Sequence, residues 1–370
     1  MTERSFTRRR MVAGAGCGVA ALAGLEASGA QAHSSRWHMP AEEHPHEATW
    51  MCFPASSSVW GSDLRAVQRT VARIALAISD FEPVRMLVRP SARSLASRLV
   101  GKGIELIDGP VDDLWARDTL PLFLLAADRR PALAAGRVRF NGWGGKQLHA
   151  GDARLAKHVA EVLGIELIES GLTGEGGGIE TDGAGSVLAS RSSWVNRNRN
   201  PGRSEAGIGR AMTGLLGARR MLWVDGIAGS DITDAHIDTL ARFASPETIV
   251  CEATSYVEPG ETWYEVARAT LRSLRAARTL AGEPYRIVRL TQPAMTRGSG
   301  DAFLSSYLNY YVCNGAVVVP TFGDRRADSR AARTLTSLYP GRQMVQLEID
   351  AVAAGGGGIH CSTREQPRLI

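Results

Sequence analysis

Gly176-Gly177-Gly178-Ile179-Glu180, near the middle of the chain, is echoed close to the C-terminus by Gly356-Gly357-Gly358-Ile359-His360. Each follows a β-like or small-residue run and precedes a short polar segment. Repeated units that share one loop chemistry suggest a rotational assembly whose loops converge on a common axis. Chance is the competing explanation in a chain with 40 glycines. Outward from these loops, β-type runs alternate with amphipathic stretches. Residues 63–79 read as a helix before the strand 84–88, and 91–100 as a helix before 104–107. The pattern recurs as 153–163 before 165–168, and as 264–281 before 286–290, with a further strand over 316–320. The fold class is α/β.

With 370 residues, 44% hydrophobic and 22% charged, the chain has the composition of an ordinary globular protein with a large core. Disordered and collagen-like classes are excluded. Lys+Arg outnumber Asp+Glu by 43 to 38, yet the only lysines are Lys102, Lys146 and Lys157, and the arginines are dispersed. No clustered phosphate-reading surface results, so no nucleic-acid partner is expected.

The first 32 residues read as a targeting segment. Thr7-Arg8-Arg9-Arg10-Met11-Val12 is a twin-arginine region, a weakly apolar stretch runs from Met11 to Leu25, and Ala30-Gln31-Ala32 is a cleavage site. The apolar run is too short to span a bilayer. The expectation is a leader over 1–32, a single catalytic domain over 33–370, export to the periplasm or exterior, and no membrane association after removal. Cys17 lacks the upstream leucine of a lipoprotein box. Cys52, Cys251, Cys313 and Cys361 then remain, and a core that forms before export needs no disulfides, so Cys361 at least is expected as a free thiol. No C-x-x-C pair exists, and His33, His38, His44 and His46 lack ligand-spaced partners, so neither metal nor cofactor is expected.

Four stretches carry chemistry. In Gly355-Gly356-Gly357-Gly358-Ile359-His360-Cys361, glycines allow close backbone approach and leave a cysteine at a pocket floor; alone, such a cysteine is as readily a small core side chain. In Asp231-Ile232-Thr233-Asp234-Ala235-His236-Ile237-Asp238, an extended backbone points His236 and Asp238 to one face. A turn in which Asp231 and Asp234 cap a helix is the alternative. Asp112-Asp113-Leu114-Trp115-Ala116-Arg117-Asp118 offers Asp118 as a carboxylate and Trp115 as a flat wall, unless Arg117 simply pairs with Asp118 or Asp113. Glu175 abuts the mid-chain glycine loop. A cysteine and a histidine alone suggest acyl transfer; the surplus of acids points to a planar cation such as guanidinium, held by bidentate carboxylates.

Residues 39–50, Trp115-Ala116-Arg117-Asp118, Asn141-Gly142-Trp143-Gly144-Gly145-Lys146, 175–183, Asn198-Arg199-Asn200-Pro201, His236-Ile237-Asp238, 314–320 and 356–367 resemble, in order, the agmatine deiminase and bacterial-type peptidylarginine deiminase family. The resemblance covers essentially all of the chain beyond the leader. It implies a pentein fold, a five-bladed α/β propeller with pseudo-fivefold symmetry. It also implies Cys361 as nucleophile, His236 as general acid and base, and Asp118 and Asp238 as guanidinium clamps. Glu175, Trp115, Gly357 and Gly358 would line the substrate. The substrate implied is agmatine first and an arginine-containing peptide second, with an oligomer compatible. Glu43 stands where the family usually has Trp, Leu120 where it has Gly, and Ala235 and Ala316 replace common glycines. An amidinotransferase, a non-catalytic pentein binding module and a papain-like protease are the rival readings.

Overall fold

Along the stretch expected as helix over 63–79, Val67, Val71, Ile74 and Ile78 recur every three to four residues and are fully buried, while Arg65, Arg69 and Arg73 face solvent. The structure is a computed structural model that describes residues 36–127, 132–254, 260 and 262–370. The expected leader, with His33, lies outside the described residues. The amphipathic stretch is the helix Leu64–Ser79, entered through a 3₁₀ turn. Side-chain caps start two other long helices. Ser204 accepts from the Gly207 N–H ahead of Glu205–Leu216, and Asp324 accepts from Arg326 and Ala327 ahead of Arg325–Leu338.

These helices serve one repeated plan. Ser186–Ser190 pairs antiparallel with Glu180–Thr181 and, across the helix Glu205–Leu216, parallel with Arg220–Val224. Thr248–Ala253 does the same between Ala241–Ser245 and Arg286–Thr291, and Ala316–Thr321 between Tyr311–Cys313 and Gln343–Glu348. Leu133–Arg139 pairs antiparallel with Leu122–Ala126 and parallel with Glu166–Thr173; Trp37–His38 extends that sheet. In the remaining unit His46–Cys52 lies between Val84–Val88 and the C-terminal strand Thr363–Pro367, with Glu105–Asp108 at the edge. Strands far apart in the chain thus complete one sheet, and the described residues form five sheets. The middle strands Ser186–Ser190 and Thr248–Ala253 are buried throughout, as expected where a helix covers one face and neighbouring units the other.

The expected helix over 264–281 is Thr262–Ala276, ending five residues early. There the Thr279 N–H donates to the Glu283 carbonyl at 2.7 Å, Gly282 turns at positive φ, and Arg278 bridges to Pro284. This tight turn returns the chain to the strand sooner than the hydrophobic period suggests. Among the described residues no helix is long and apolar enough to cross a membrane.

The units meet around buried charges as well as apolar clusters. Glu42 Oε2 takes Arg117 at 3.2 Å, Arg242 at 2.9 Å and His360 at 2.9 Å, and its Oε1 accepts from the Val312 N–H at 2.9 Å. Burial opposes ionisation of Glu42, but Arg242, His360 and Arg117 hold its carboxyl well below the ordinary range. Arg242 also binds Glu180 and the carbonyls of Leu308 and Tyr310. Replacing Glu42 with Gln leaves these cations undercompensated, so a loss of about 3–5 kcal/mol is expected in urea unfolding. A loss below about 1 kcal/mol would show that the network is dispensable.

Candidate active site

Each sheet hands the chain to the next through a loop containing a one-turn helix, and these turns meet at the centre. They are Ala116–Thr119, Gly176–Gly178, Ile237–Thr239, Tyr307–Asn309 and the glycine turn before Cys361. Trp115, Asp118, His236, Asp238, Gly357 and Cys361 line one cavity, together with Trp143, Gln147, Asp231, Thr233 and Thr239 among others. Six of the eight residues expected at the site are therefore neighbours, although they come from distant parts of the chain.

Cys361 Sγ lies 3.4 Å from Asp238 Oδ2 and receives the Asn309 Nδ2–H at 3.0 Å. Asp238 Oδ2 also accepts from His360 Nδ1 at 2.8 Å, whereas Asp238 Oδ1 is buried and has no hydrogen-bond partner in the protein. Asp118 accepts from Trp143 Nε1 at 2.9 Å and from the Gly177 N–H at 2.9 Å. His236 sits between acids, with Nδ1 3.7 Å from Asp118 Oδ1 and Nε2 3.1 Å from Glu175 Oε2.

These contacts set the charges. Burial works against the imidazolium of His236, but Asp118 and the hydrogen bond to Glu175 overcome it and raise the pKa to about 9. Burial pushes Asp118 up, partly offset by His236. Asp238 is held below its ordinary value because the His360 hydrogen bond and charge outweigh burial. Burial and the carboxylates of Asp238 and Asp118 push the Cys361 thiol well up. These influences favour a protonated imidazole at His236, a protonated thiol at Cys361 and an ionised carboxylate at Asp238.

Several expectations need correction. The segment through His236 and Asp238 is a 3₁₀ turn headed by His236, not an extended strand; both side chains still face the cavity. Asp231 does not cap that turn. Its Oδ1 accepts from Thr233 and Ala235 within the preceding loop. Arg117 pairs with neither Asp118 nor Asp113 but with Glu42 and with Glu365 at 2.7 Å. Glu175 does not line the cavity; it sits behind His236, gripped by Arg199 Nε at 2.8 and 2.9 Å. Gly358 does not line it either. A Cβ there would lie 2.6 Å from Asn309 Oδ1, so glycine lets Asn309 reach Cys361. A Cβ on Gly357 would strike the Trp115 ring at 2.2 Å, and one on Gly177 would sit 2.7 Å from Asp118 Oδ1 and 2.8 Å from His236 Nδ1. The echoed glycines are therefore places where backbone must touch site side chains.

The chain departs from the family pattern at Ala235, which adopts φ +64, next to Asp234 at φ +62. Asp234 is held by Lys146 at 2.9 Å, Arg199 at 2.6 Å and Asn198 at 3.0 Å, which together overcome burial and bring its pKa to about 2. Asn141–Lys146 and Asn198–Asn200, noticed only as resembling segments, thus hold the His236 loop and supply the Trp143 donor. Sequence reasoning assigned Trp143, Arg199 and Asn309 no role, and only the first two lay in segments that drew notice.

Residues 38–367 match the family of Porphyromonas-type peptidyl-arginine deiminases. The chain belongs to that family. Its enzymatic class is that of a hydrolase of amidine C–N bonds, and its fold is the pentein fold. A Legionella pneumophila relative is 34% identical over 336 residues, covering 90% of this chain and 95% of that protein. The agmatine deiminase of Medicago truncatula is 27% identical over 366 residues, covering 90% and 97%. The solved agmatine deiminase of Enterococcus faecalis superposes with a TM-score of 0.84 at 25% identity, covering 90% of this chain and 97% of that one.

An alanine in the left-handed region costs about 1 kcal/mol or more relative to glycine. Ala235→Gly is accordingly expected to raise the unfolding free energy by about 1 kcal/mol, read by urea denaturation. A destabilising effect would mean that the loop is not strained there.

Proposed function

We propose that the chain hydrolyses agmatine to N-carbamoylputrescine and ammonia, with Cys361 as nucleophile, His236 as proton carrier, and Asp118 and Asp238 as the clamp on the guanidinium. The observation that carries this reading is the convergence of two carboxylates on one buried thiol, with Asp238 Oδ1 lacking any partner in the protein. A planar cation held between them supplies the missing donor and cancels the two charges that, with burial, keep the thiol protonated. Substrate binding then favours the thiolate, the thiol proton passing to solvent because His236 already carries its own.

The steps balance in protons. The Cys361 thiolate adds to the guanidinium carbon, giving a tetrahedral adduct. His236, protonated near neutral pH, gives its proton to one amino group, and ammonia leaves, so a thiouronium cation remains on the sulfur. The now neutral His236 takes a proton from water as the hydroxyl adds to the same carbon. Collapse expels the thiolate, and the ureido product leaves after losing its excess proton. Glu175 orients the imidazole through Nε2, itself locked by Arg199. Trp115 is the wall against which the alkyl chain lies, beside Gly357. The names of the Medicago and Enterococcus relatives support agmatine as the substrate.

A second reading, hydrolysis of peptidyl-arginine, is favoured by the twin-arginine leader over residues 1–32. We propose export on that same segment, testable by following the full chain into the periplasm or medium and by its retention when Arg8 and Arg9 become Lys. Ammonia release from agmatine is expected in wild type, with a loss of about 10³-fold or more in Cys361→Ser and of roughly 10²-fold or more in Asp238→Asn. Rapid turnover of a C-terminal-arginine peptide with none of agmatine would reverse the order of substrates.

The sign of the pH dependence follows from His236. Its raised pKa means the proton needed for ammonia departure is present below about 9 and lost as pH rises through that value, so kcat at saturating agmatine, where the thiol is already ionised, declines there. In Glu175→Gln the hydrogen bond that helps raise His236 loses its charge. The alkaline limb should then move to lower pH, and a limb that stays in place would remove His236 from its proposed role.

A further inference from the structure

Two histidines stand near Cys361, and only one of them reaches the cavity. His360 is fully buried and, unlike His236, does not line it. Its Nδ1 lies 2.8 Å from Asp238 Oδ2 and its Nε2 2.9 Å from Glu42 Oε2, with Glu180 Oε1 farther off at 3.7 Å. Both ring nitrogens therefore face carboxylate oxygens. An ionised carboxylate only accepts hydrogen bonds and a neutral imidazole has a single N–H, so the two contacts are satisfied together only by an imidazolium. Turning the ring over would set carbons against both acids.

We infer that His360 is a positioning residue of the guanidinium clamp: a buried imidazolium that holds Asp238 Oδ2, leaves Oδ1 open to the substrate, and lets Asp238 meet a guanidinium as a carboxylate. For its functional meaning the inference rests on the clamp proposed above, but the pairing of one ring with two acids does not depend on which guanidinium is bound. A carboxylate buried beside a second one takes up a proton unless a cation compensates it. The clamp would then present one charge instead of two.

The other charges around Asp238 are committed elsewhere. Asp118 is a like charge that Asp238 pushes up, and the Cys361 thiol at 3.4 Å carries no cation. His236 also draws Asp238 down, but its nitrogens face Asp118 and Glu175. Arg242 acts from farther away, bound to Glu42 and Glu180. Among the described residues His360 is the one ion-pair partner of Asp238. Its far end is anchored, because Glu42 is also gripped by Arg117 and Arg242, and Arg117 Nε donates to the His360 carbonyl at 3.2 Å. The ring cannot swing away without stranding buried charge. The two histidines thus divide their tasks: His236 can pass a proton to reacting atoms, whereas the protons of His360 stay between two acids.

The test reads the charge of Asp238 through binding, with the thiol removed so that no covalent step intervenes. Cys361→Ser is titrated with agmatine by calorimetry at successive pH values, alone and combined with His360→Asn. The new amide keeps an N–H for Asp238 Oδ2 but carries no charge. Because His360 lowers the pKa of Asp238, its loss raises the pH below which the carboxylate takes up a proton. As pH falls, affinity should therefore begin to drop about one pH unit higher or more in the double variant, a difference of about tenfold in Kd, and should recover towards that of Cys361→Ser as pH rises. Equal affinities at every pH overturn the inference. So does a loss of the same factor at every pH, which is what a merely structural role would give. With Cys361 in place, the alkaline limb of kcat set by His236 should not move in His360→Asn; a displaced limb would make His360 part of the proton transfer and overturn its assignment as a fixed charge.

Should the double variant not fold, the wild-type protein labelled with ¹⁵N-histidine gives the same answer. Both ring nitrogens of His360, assigned through its backbone neighbours, should carry protons at neutral pH, and one unprotonated nitrogen overturns the inference. If Cys361→Ser binds a C-terminal-arginine peptide but no agmatine, the substrate proposal falls, and the same pH titration with that peptide decides the role of His360.

Discussion

The carboxylate of Glu42 is the interaction on which the rest of the structure depends. It comes from the N-terminal segment, yet it binds Arg117 of the turn Ala116–Thr119, Arg242 of the strand Ala241–Ser245, His360 beside Cys361 and the backbone of the strand Tyr311–Cys313. A ring of separate sheets has no single strand ladder to hold it together. Buried ions that each need several partners provide a different kind of specificity: displacing one unit strands a charge in a place without water. Further along the network, His360 reaches Asp238, and Arg242 reaches the turn that carries Asn309. The same charges that register the sheets therefore aim the side chains around Cys361.

That coupling explains why the centre tolerates strain. Asp234 and Ala235 adopt left-handed backbone angles in the loop that presents His236, and Trp143 does so where its indole meets Asp118. Each is overdetermined by ion pairs or hydrogen bonds from other segments, as strained residues at functional sites must be. Glycine serves where no compensation is available. At Gly177, Gly357 and Gly358 the backbone itself is packed against a site side chain, and any Cβ would displace that side chain.

Much of this was legible in the sequence, and the remainder was not for identifiable reasons. The alternation of helix and strand follows from local periodicity, as Val67, Val71, Ile74 and Ile78 show. The echoed glycine runs signalled loops converging on an axis, and the resemblance supplied the nucleophile, the histidine and the acids that the cavity brings together. Asn309 was invisible because nothing in Ser306-Tyr307-Leu308-Asn309 distinguishes it from an ordinary polar loop; its role exists only once residues 52 positions apart in the chain are in contact. The partners of Arg117 were misjudged for the same reason. Neighbouring acids in sequence, Asp113 and Asp118, were the obvious candidates, but a short helical turn directs them elsewhere and leaves Arg117 to Glu42 and Glu365. Glu175 was expected against the substrate because the resemblance implies an acid there; what the sequence could not show is that Arg199 binds both its oxygens.

The electrostatics also separate a deiminase from a cysteine protease built on the same two residue types. A protease needs its thiolate before a neutral amide arrives, and that requires a cation beside sulfur in the free enzyme. Here the raised pKa of His236 favours a positive charge, but it is shared by Asp118 and Glu175, while burial, Asp238 and Asp118 push the thiol up. A neutral amide entering this cavity would add burial without removing either carboxylate charge, so the thiol would stay protonated and unreactive. On the proposed mechanism a guanidinium would offset both charges on arrival. On that proposal reactivity is tied to the charge of the ligand, and the acids that add to burial in keeping the resting cysteine protonated are the same ones that would select the substrate able to ionise it.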